Sequence, residues 1–355
     1  MPPTEPRILA LARFYKDGKR KTDCPLSGAS IRMTSQAIGR ALVGIATAAL
    51  LLMTAGWAAI WQIRTGTRQA SAERLWAGDA PGAVDSTESD VPAIAVFLPP
   101  QSLSRGVGIV ICPGGAYGAL MSSYEGTDIA HWLNSFGVTA FVLRYRVGPR
   151  YHYPAPFLDA SRAVRYIRYH AAHYQIRGDR VGIMGFSAGG HLASTVITHF
   201  DAGNSASTDP VDRVSNRPDF AILGYPVITM EGPWAHPGSV RNLLGPKPDR
   251  GLIEDLSNER HVTGRTPPVF LFHTREDAEV PYQNSEVFFA ALRSRGVPSE
   301  MHLFEHGRHG AGLANGHGLA PRLPEVLPWS LLAERWLDSL YPSKLNWSYS
   351  VLFRI

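Results

Sequence analysis

Between residues 93 and 340, short runs of consecutive apolar residues alternate with longer stretches whose apolar positions recur at helical spacing. Ala93–Leu98, Val107–Cys112, Val138–Tyr145, Arg180–Gly185, Phe220–Leu223, Pro268–His273 and Ser299–Phe304 read as strands. They are short and rich in Val, Ile and Phe, with turn residues near their ends. Thr127–Phe136, Phe157–Tyr174, residues 188–197, Asn284–Arg295 and Trp329–Leu340 read as helices. On the second of these, Arg162, Arg165 and Arg168 fall on the side expected to face water. Strands that are apolar throughout, separated by helices, predict an α/β domain with a mostly parallel sheet covered on both faces. That domain is expected to span residues 91–342.

Two stretches break the alternation. Asp201–Arg217 is polar and rich in turn residues, which predicts a loop. Residues 226–266 carry Trp234 and are interrupted by Pro233, Pro237, Pro246 and Pro248. They predict a small cap over the carboxyl edge of the sheet, where open α/β sheets bind ligands. An ordinary surface excursion is the alternative. Residues 64–90, rich in Ala, Gly, Ser, Thr and Asp, read as a linker, and residues 343–355 as a C-terminal tail.

The segment 41–63 has a different pattern, uncharged and predominantly apolar. It exceeds the roughly 20 residues that a helix needs to cross a bilayer. Basic residues precede it, and Trp57 and Trp61 lie near its far end, as the positive-inside rule and an aromatic belt require. The expectation is a transmembrane helix with residues 1–40 as a basic cytoplasmic tail and the α/β domain in the periplasm or extracellular space. A cleaved signal segment, with Met33 as the start and a secreted product, is one alternative. A buried core helix is another.

Charge supports this division. Residues 1–40 hold eight basic and three acidic side chains, which accounts for the whole formal net charge of +5. The body is therefore about neutral and offers no basic surface for nucleic acid. The two cysteines, Cys24 and Cys112, fall on opposite sides of the apolar segment. Cys112 reads as a small buried hydrophobe. No Cys/His pattern at zinc-ligand spacing is present, so neither a metal nor a cofactor is expected.

Candidate chemistry sits at the ends of the strands. Gly185-Phe186-Ser187-Ala188-Gly189 has the G-x-S-x-G form between a strand and a helix, the context of a nucleophile elbow. Small neighbours leave the serine hydroxyl open to a carbonyl carbon, and the helix N-terminus offers backbone N–H where negative charge develops. Pro113-Gly114-Gly115-Ala116 follows an earlier strand and is suited to supply further donors. Gly115, Ala116 and Ala188 are the expected oxyanion-hole residues. After Pro268–His273, the turn carries Glu276, Asp277 and Glu279, and after Ser299–Phe304 comes His306-Gly307-Arg308-His309-Gly310. The order serine, acid, histidine suits Asp277 as orienter and His309 as base, with Glu276 as the alternative acid. Tyr117, Trp234 and His306 are the expected pocket residues, and His191 is expected to pack locally. The chemistry is acyl transfer, in which His309 deprotonates Ser187 for attack on a carbonyl.

In these motifs, with Ala140–Arg146 (A-F-V-L-R-Y-R) and the segment from Tyr153-Pro154 to Arg162-Ala163, the chain resembles the carbohydrate-esterase-like, acetylxylan esterase-like branch of the α/β-hydrolases. The likeness runs from about residue 93 to 340. It implies an eight-stranded, mostly parallel sheet and hydrolysis of short acyl esters, often acetyl groups on plant polysaccharides. The acid loop also resembles that of prolyl-oligopeptidase-like peptidases, which implies Asp277 rather than Glu276. Ala116 departs from the pattern, standing where a third glycine is frequent, and so does the apolar N-terminal segment. The expected function is a membrane-tethered serine esterase or deacetylase acting on a small-molecule or oligosaccharide ester. An exopeptidase or amidase with the same triad, and a catalytically silent binding protein, are the competing readings.

Overall fold

The computed structural model describes residues 72–342. The basic tail, the apolar segment 41–63 and the tail 343–355 lie outside the described residues.

The strands are β1 (Glu73–Arg74), β2 (Ala93–Phe97), β3 (Gly108–Cys112), β4 (Thr139–Arg144), β5 (Val181–Phe186), β6 (Ala221–Gly224), β7 (Val269–Thr274) and β8 (Ser299–Phe304). They form one eight-stranded sheet in the order β1-β2-β4-β3-β5-β6-β7-β8. β2 runs antiparallel to β1 and β4, and every other pairing is parallel. Seven of the strands lie where the apolar runs predict them.

The helices are α1 (Asp128–Asn134), α2 (Ala155–Tyr169), α3 (Ala188–Thr198), α4 (Pro237–Leu244), α5 (Arg250–Asp255), α6 (Gln283–Ser294) and α7 (Trp329–Leu340). The period-2 alternation of strands sorts their side chains into two cores. Val110, Cys112, Phe141 and Ile183 pack with Val164 and Ile167 of α2 and Leu192 and Val196 of α3. Ile109, Ile111, Met184, Phe186 and Phe272 pack on the other face with Ile129 and Leu133 of α1 and Trp329 and Trp336 of α7. Each large side chain so buried contributes about 1.5–3 kcal/mol from removal of apolar surface. The carboxyl ends of β3, β5, β7 and β8 are thereby held on a rigid frame. Cys112 is wholly buried, and burial pushes its thiol pKa up.

Two expectations change. The linker 64–90 is not one from residue 73 onward: β1 pairs with β2, Leu75 is buried in the core, and Asp90 is buried beside Arg150. A strand of two residues has no periodicity to read. Nor do Arg162, Arg165 and Arg168 face open water. Arg162 is buried, bonds the carbonyl of Leu75 and pairs with Asp209 and Asp212. Arg165 pairs with Asp201, and Arg168 with Asp219. The polar stretch 201–217 folds over the exposed side of α2, and its carboxylates meet Arg162 and Arg165, while Asp219 just beyond it meets Arg168.

The interruption at 226–266 holds a 3₁₀ turn (Gly232–Trp234), α4, α5 and a second 3₁₀ turn (Asn258–Arg260). His236 and Asp249 cap the two helices with side-chain acceptors for the backbone N–H of Ser239 and Leu252. Its end is fastened to α3: Asn258 Nδ2 donates to His191 O, Ser194 Oγ and Thr195 Oγ1 at 2.7–3.2 Å. No helix among the described residues is long and apolar enough to cross a membrane.

Candidate active site

Ser187 stands between β5 and α3 with φ 54° and ψ −121°, a strained conformation for a residue with a side chain. Its neighbours show why the motif needs glycine. A Cβ on Gly185 would lie 2.0 Å from the carbonyl oxygen of Gly189, and one on Gly189 would lie 2.0 Å from that of Cys112. The turn therefore closes against β3 only if both positions lack side chains. The sharp reversal at β5 lifts Ser187 above the sheet and places the Ala188 N–H at the N-terminus of α3.

The loops after β7 and β8 bring the other candidates to it. His309 Nε2 lies 2.8 Å from Ser187 Oγ, and His309 Nδ1 lies 2.7 Å from Asp277 Oδ2. The second oxygen of Asp277 accepts the backbone N–H of Glu279 and Val280, at 3.0 and 2.9 Å. His273, at the end of β7, reaches Asp277 Oδ2 with Nε2 at 3.3 Å, while donating to Val280 O at 2.9 Å. Burial would raise the Asp277 carboxyl, but the hydrogen bonds of His273 and His309 outweigh it and hold its pKa well below the usual carboxylate range. An ionised Asp277 fixes His309 with the proton on Nδ1, which leaves Nε2 free to accept from the serine. Glu276, the alternative acid, is exposed and bonds His306 at 2.9 Å instead.

The loop after β3 is bent by a run of positive φ: Gly115 at 127°, Ala116 at 53° and Tyr117 at 57°. Gly114 packs against the elbow, since a Cβ there would lie 3.0 Å from Ser187 Cβ. Gly114 N–H is not available to a substrate, because it donates to Glu125 Oε2 at 2.8 Å. Gly115 and Ala116 are half-buried. The cap steadies this loop from outside: Asn242 of α4 donates to Ala116 O at 2.9 Å.

The predicted pocket residues fare differently. Tyr117 is a core residue, 1% exposed, with its hydroxyl 2.8 Å from His191 Nδ1. Its left-handed backbone turns the side chain inward, away from a substrate. His306 is exposed and paired with Glu276, which raises its pKa. Trp234 lies half-exposed in the first cap turn, its carbonyl held by Asn284. His191, expected to pack locally, is wholly buried and also bonds Leu256 O at 2.8 Å.

Three residues escape sequence reasoning. His273 is the second imidazole on Asp277. His236 stands at the start of α4, where burial lowers its pKa and the nearby charges of His309, Glu279 and Asp277 act on it. Glu125 sits in a π-helical turn (Ser123–Thr127) and is buried, which raises its pKa. A π-turn inside the start of a helix is a recurrent functional irregularity, but no local pattern in S-Y-E-G-T marks it. A cavity of about 540 Å³ opens elsewhere, lined by Glu88, Leu120, Arg144 and Tyr145 among others, and none of the three aligned residues lines it.

The BD-FAE family model matches residues 94–292, more than half of the chain. The chain belongs to the BD-FAE family. Within that membership, 228 residues are 40% identical to Endo-1,4-beta-xylanase B of Butyrivibrio fibrisolvens, covering 63% of this chain and 35% of that protein. Over 220 residues the chain is 34% identical to an Acetylxylan esterase of Xylanibacter ruminicola, covering 61% of this chain and 43% of that one. This BD-FAE chain thus spans less than half the length of either relative. The crystal structure of an acetyl ester-xyloside bifunctional hydrolase from Caldicellulosiruptor lactoaceticus superimposes with a TM-score of 0.72 at 43% identity, over 77% of this chain and 97% of that one. The sheet order and these matches make the domain an α/β-hydrolase.

Proposed function

We propose that this protein is a serine esterase that removes short acyl groups, acetyl above all, from saccharide esters. The observation that carries the proposal is the unbroken line Ser187–His309–Asp277, with its two contacts of 2.8 and 2.7 Å. The names of the xylan-directed relatives support the substrate class.

In this reading the Ser187 proton passes to His309 Nε2 as Oγ bonds to the ester carbon. The carbonyl π pair moves onto its oxygen, which the N–H groups of Gly115, Ala116 and Ala188 receive. Collapse breaks the bond to the alkoxy oxygen, which takes the proton from His309 and leaves as the alcohol. Water then repeats the sequence on the acyl-enzyme and releases the acid. No cofactor takes part in these steps. The cap helix α4, held on Ala116 by Asn242, forms one wall of the acyl site, and His306 and Trp234 stand too exposed to define it.

The test is hydrolysis of p-nitrophenyl acetate, butyrate and octanoate by the full chain, beside Ser187→Ala. An acetate-preferring activity lost in the variant supports the esterase, and release of acetate from acetylated xylo-oligosaccharides supports the substrate. Equal rates in both proteins would remove the triad assignment. Turnover of aminoacyl amides at rates matching esters would favour an amidase, and a Ser187 inert to a fluorophosphonate probe would favour a binding protein.

The apolar segment 41–63 extends the proposal to location. Its length, its lack of charge and the basic residues before it support an anchor that holds the domain outside the cytoplasm. Membrane fractions retaining the chain after alkaline carbonate washing, with the domain open to external protease in spheroplasts, are the expected result. Recovery in the medium with the segment removed would replace the anchor with a cleaved signal.

A further inference from the structure

His199 follows the last turn of α3, Asp255 ends α5, and His261 follows the second 3₁₀ turn of the cap. Although His199 lies 56 residues before Asp255, the three side chains converge. Asp255 Oδ1 lies 3.7 Å from His199 Nε2 and 3.9 Å from His261 Nε2, and ligand atoms of all three fall within 4.8 Å of one another. The two imidazole centroids are 4.8 Å apart, and all three residues are half-buried.

The surroundings of His199 suit a ligand held in place. Its Nδ1 lies 3.2 Å from Thr195 O and 2.9 Å from Thr198 Oγ1, and its Nε2 points to Asp255, with the backbone oxygen at 3.1 Å and Oδ1 at 3.7 Å. With the proton on Nδ1 and donated to the Thr195 carbonyl, the Nε2 lone pair faces the Asp255 carboxylate and is open to a cation. That is the outer contact that orients a metal-binding histidine.

We propose that His199, Asp255 and His261 bind a divalent transition-metal ion, Zn²⁺ by the chemistry of the ligands, which clamps the cap to the nucleophile helix. Two imidazoles and a carboxylate suit zinc, whereas Mg²⁺ and Ca²⁺ prefer oxygen alone. Ligands about 2.0–2.2 Å from a tetrahedral ion lie roughly 3.4 Å from one another; the two Asp255 contacts are within a few tenths of an ångström of that, and the remaining pair, within 4.8 Å, closes by up to about 1.4 Å on binding. The competing account is that both rings merely cap α5, donating to the carbonyls of Asp255 and Glu254, the latter 3.3 Å from His261 Nε2. It places the His199 proton on Nε2 and leaves Nδ1 to accept from the Thr198 hydroxyl, 2.9 Å away.

The test uses the full chain, stripped with chelator and titrated with Zn²⁺, Co²⁺ and Mg²⁺ by calorimetry, visible absorption and thermal unfolding. The expected result is one Zn²⁺ or Co²⁺ per chain, tetrahedral Co²⁺ bands, a Zn²⁺-dependent rise in Tm and no effect of Mg²⁺. His261→Ala and Asp255→Asn should each weaken Zn²⁺ binding at least about tenfold, the loss that even an outer partner causes. His317→Ala, at an exposed histidine beside Asp128, should leave it unchanged. No tetrahedral Co²⁺ spectrum in the wild type would overturn the proposal, and so would unchanged binding in the two variants. If a variant fails to fold, the wild-type Co²⁺ spectrum and the Zn²⁺-dependent Tm decide.

Discussion

Tyr225 donates its hydroxyl proton to Glu125 Oε1 at 2.8 Å, and this bond links the loop after β3 to the loop that carries His309. On one side Glu125 Oε2 holds the N–H of Gly114; on the other, Tyr225 Oη accepts the N–H of Gly312 at 3.0 Å. The Tyr225 ring also packs edge-on against His309, with centroids 5.0 Å apart. All of this is buried, where an unmade hydrogen bond costs about 1–3 kcal/mol. Tyr225→Phe is therefore expected to lower stability by about that amount, since Gly312 N–H and a carboxylate oxygen both lose a partner. Misplacement of the donors and the base should lower kcat by up to about 100-fold, with KM little changed. Glu125→Gln, which presents an amide N–H₂ to one of the two donors, should act in the same direction. Steady-state kinetics on p-nitrophenyl acetate with denaturant unfolding check this; lost stability with unaltered kcat would make the network purely structural.

The second imidazole on Asp277 gives a prediction with a sign. The folded-state pKa of Asp277 is depressed, so its contribution to stability is present above the unfolded value, about 3.9, and is lost as pH falls through the folded value. Burial alone would raise that pKa, and His273 is the first of the donors opposing it. In His273→Phe the Asp277 pKa should rise, and the acid limb of kcat/KM should move to higher pH. The kcat at neutral pH should fall while KM stays close to that of the wild type. A pH–rate profile identical in shape to the wild type would show that His309 and the backbone N–H groups suffice for Asp277.

The gap between what the sequence indicates and what it leaves out follows from the range of the contacts. Ser187, Asp277 and His309 could be anticipated because each stands just after an apolar strand, within a short motif of its own. The sheet was legible for the same reason: seven strands are apolar runs between turns. Glu125 reaches Tyr225 over 100 positions, a separation that no local pattern records, whereas His273 stands only four residues before Asp277 but inside an apolar strand, where it reads as one more core position. Tyr117 was misread as a pocket wall because side-chain direction there depends on φ 57°, which residue type does not announce. The arginines of α2 were misread because their partners come from a polar loop 36–50 residues away.

Trp329 joins this site to the core beneath it. Its ring stacks on Phe272 with centroids 4.2 Å apart and planes 9° from parallel, and its indole N–H donates to Gly312 O at 3.0 Å. Gly312 is thus held by Trp329 through its carbonyl and by Tyr225 through its amide. Trp329→Ala should cost about 3–5 kcal/mol, as for other large-to-small changes in cores. Trp329→Phe keeps most of the stacking but leaves the Gly312 carbonyl unpaired, and should cost about 1–3 kcal/mol. Urea unfolding midpoints at constant m-value measure both. A Phe variant as stable as the wild type would mean that water replaces the indole N–H at Gly312.

His191 lies where the elbow helix, the oxyanion loop and the end of the cap meet. Its Nε2 can only donate to Leu256 O, so Nδ1 carries the lone pair that accepts the Tyr117 hydroxyl, both at 2.8 Å. Burial lowers its pKa from 6.5 to about 4. A histidine with a depressed folded pKa contributes stability that is present above the unfolded value, near 6.5, and lost as pH falls through the folded value, near 4. At about 1.4 kcal/mol per pH unit, the folded protein should lose about 3 kcal/mol across that window from this group alone. His191→Gln binds no proton in this range, so its stability should fall less steeply between pH 6.5 and 4, although it is lower at neutral pH. Unfolding free energies measured at half-unit steps distinguish the cases. Parallel curves for the two proteins would mean that acid acts elsewhere, and that the Tyr117–His191–Leu256 link tolerates a charged ring.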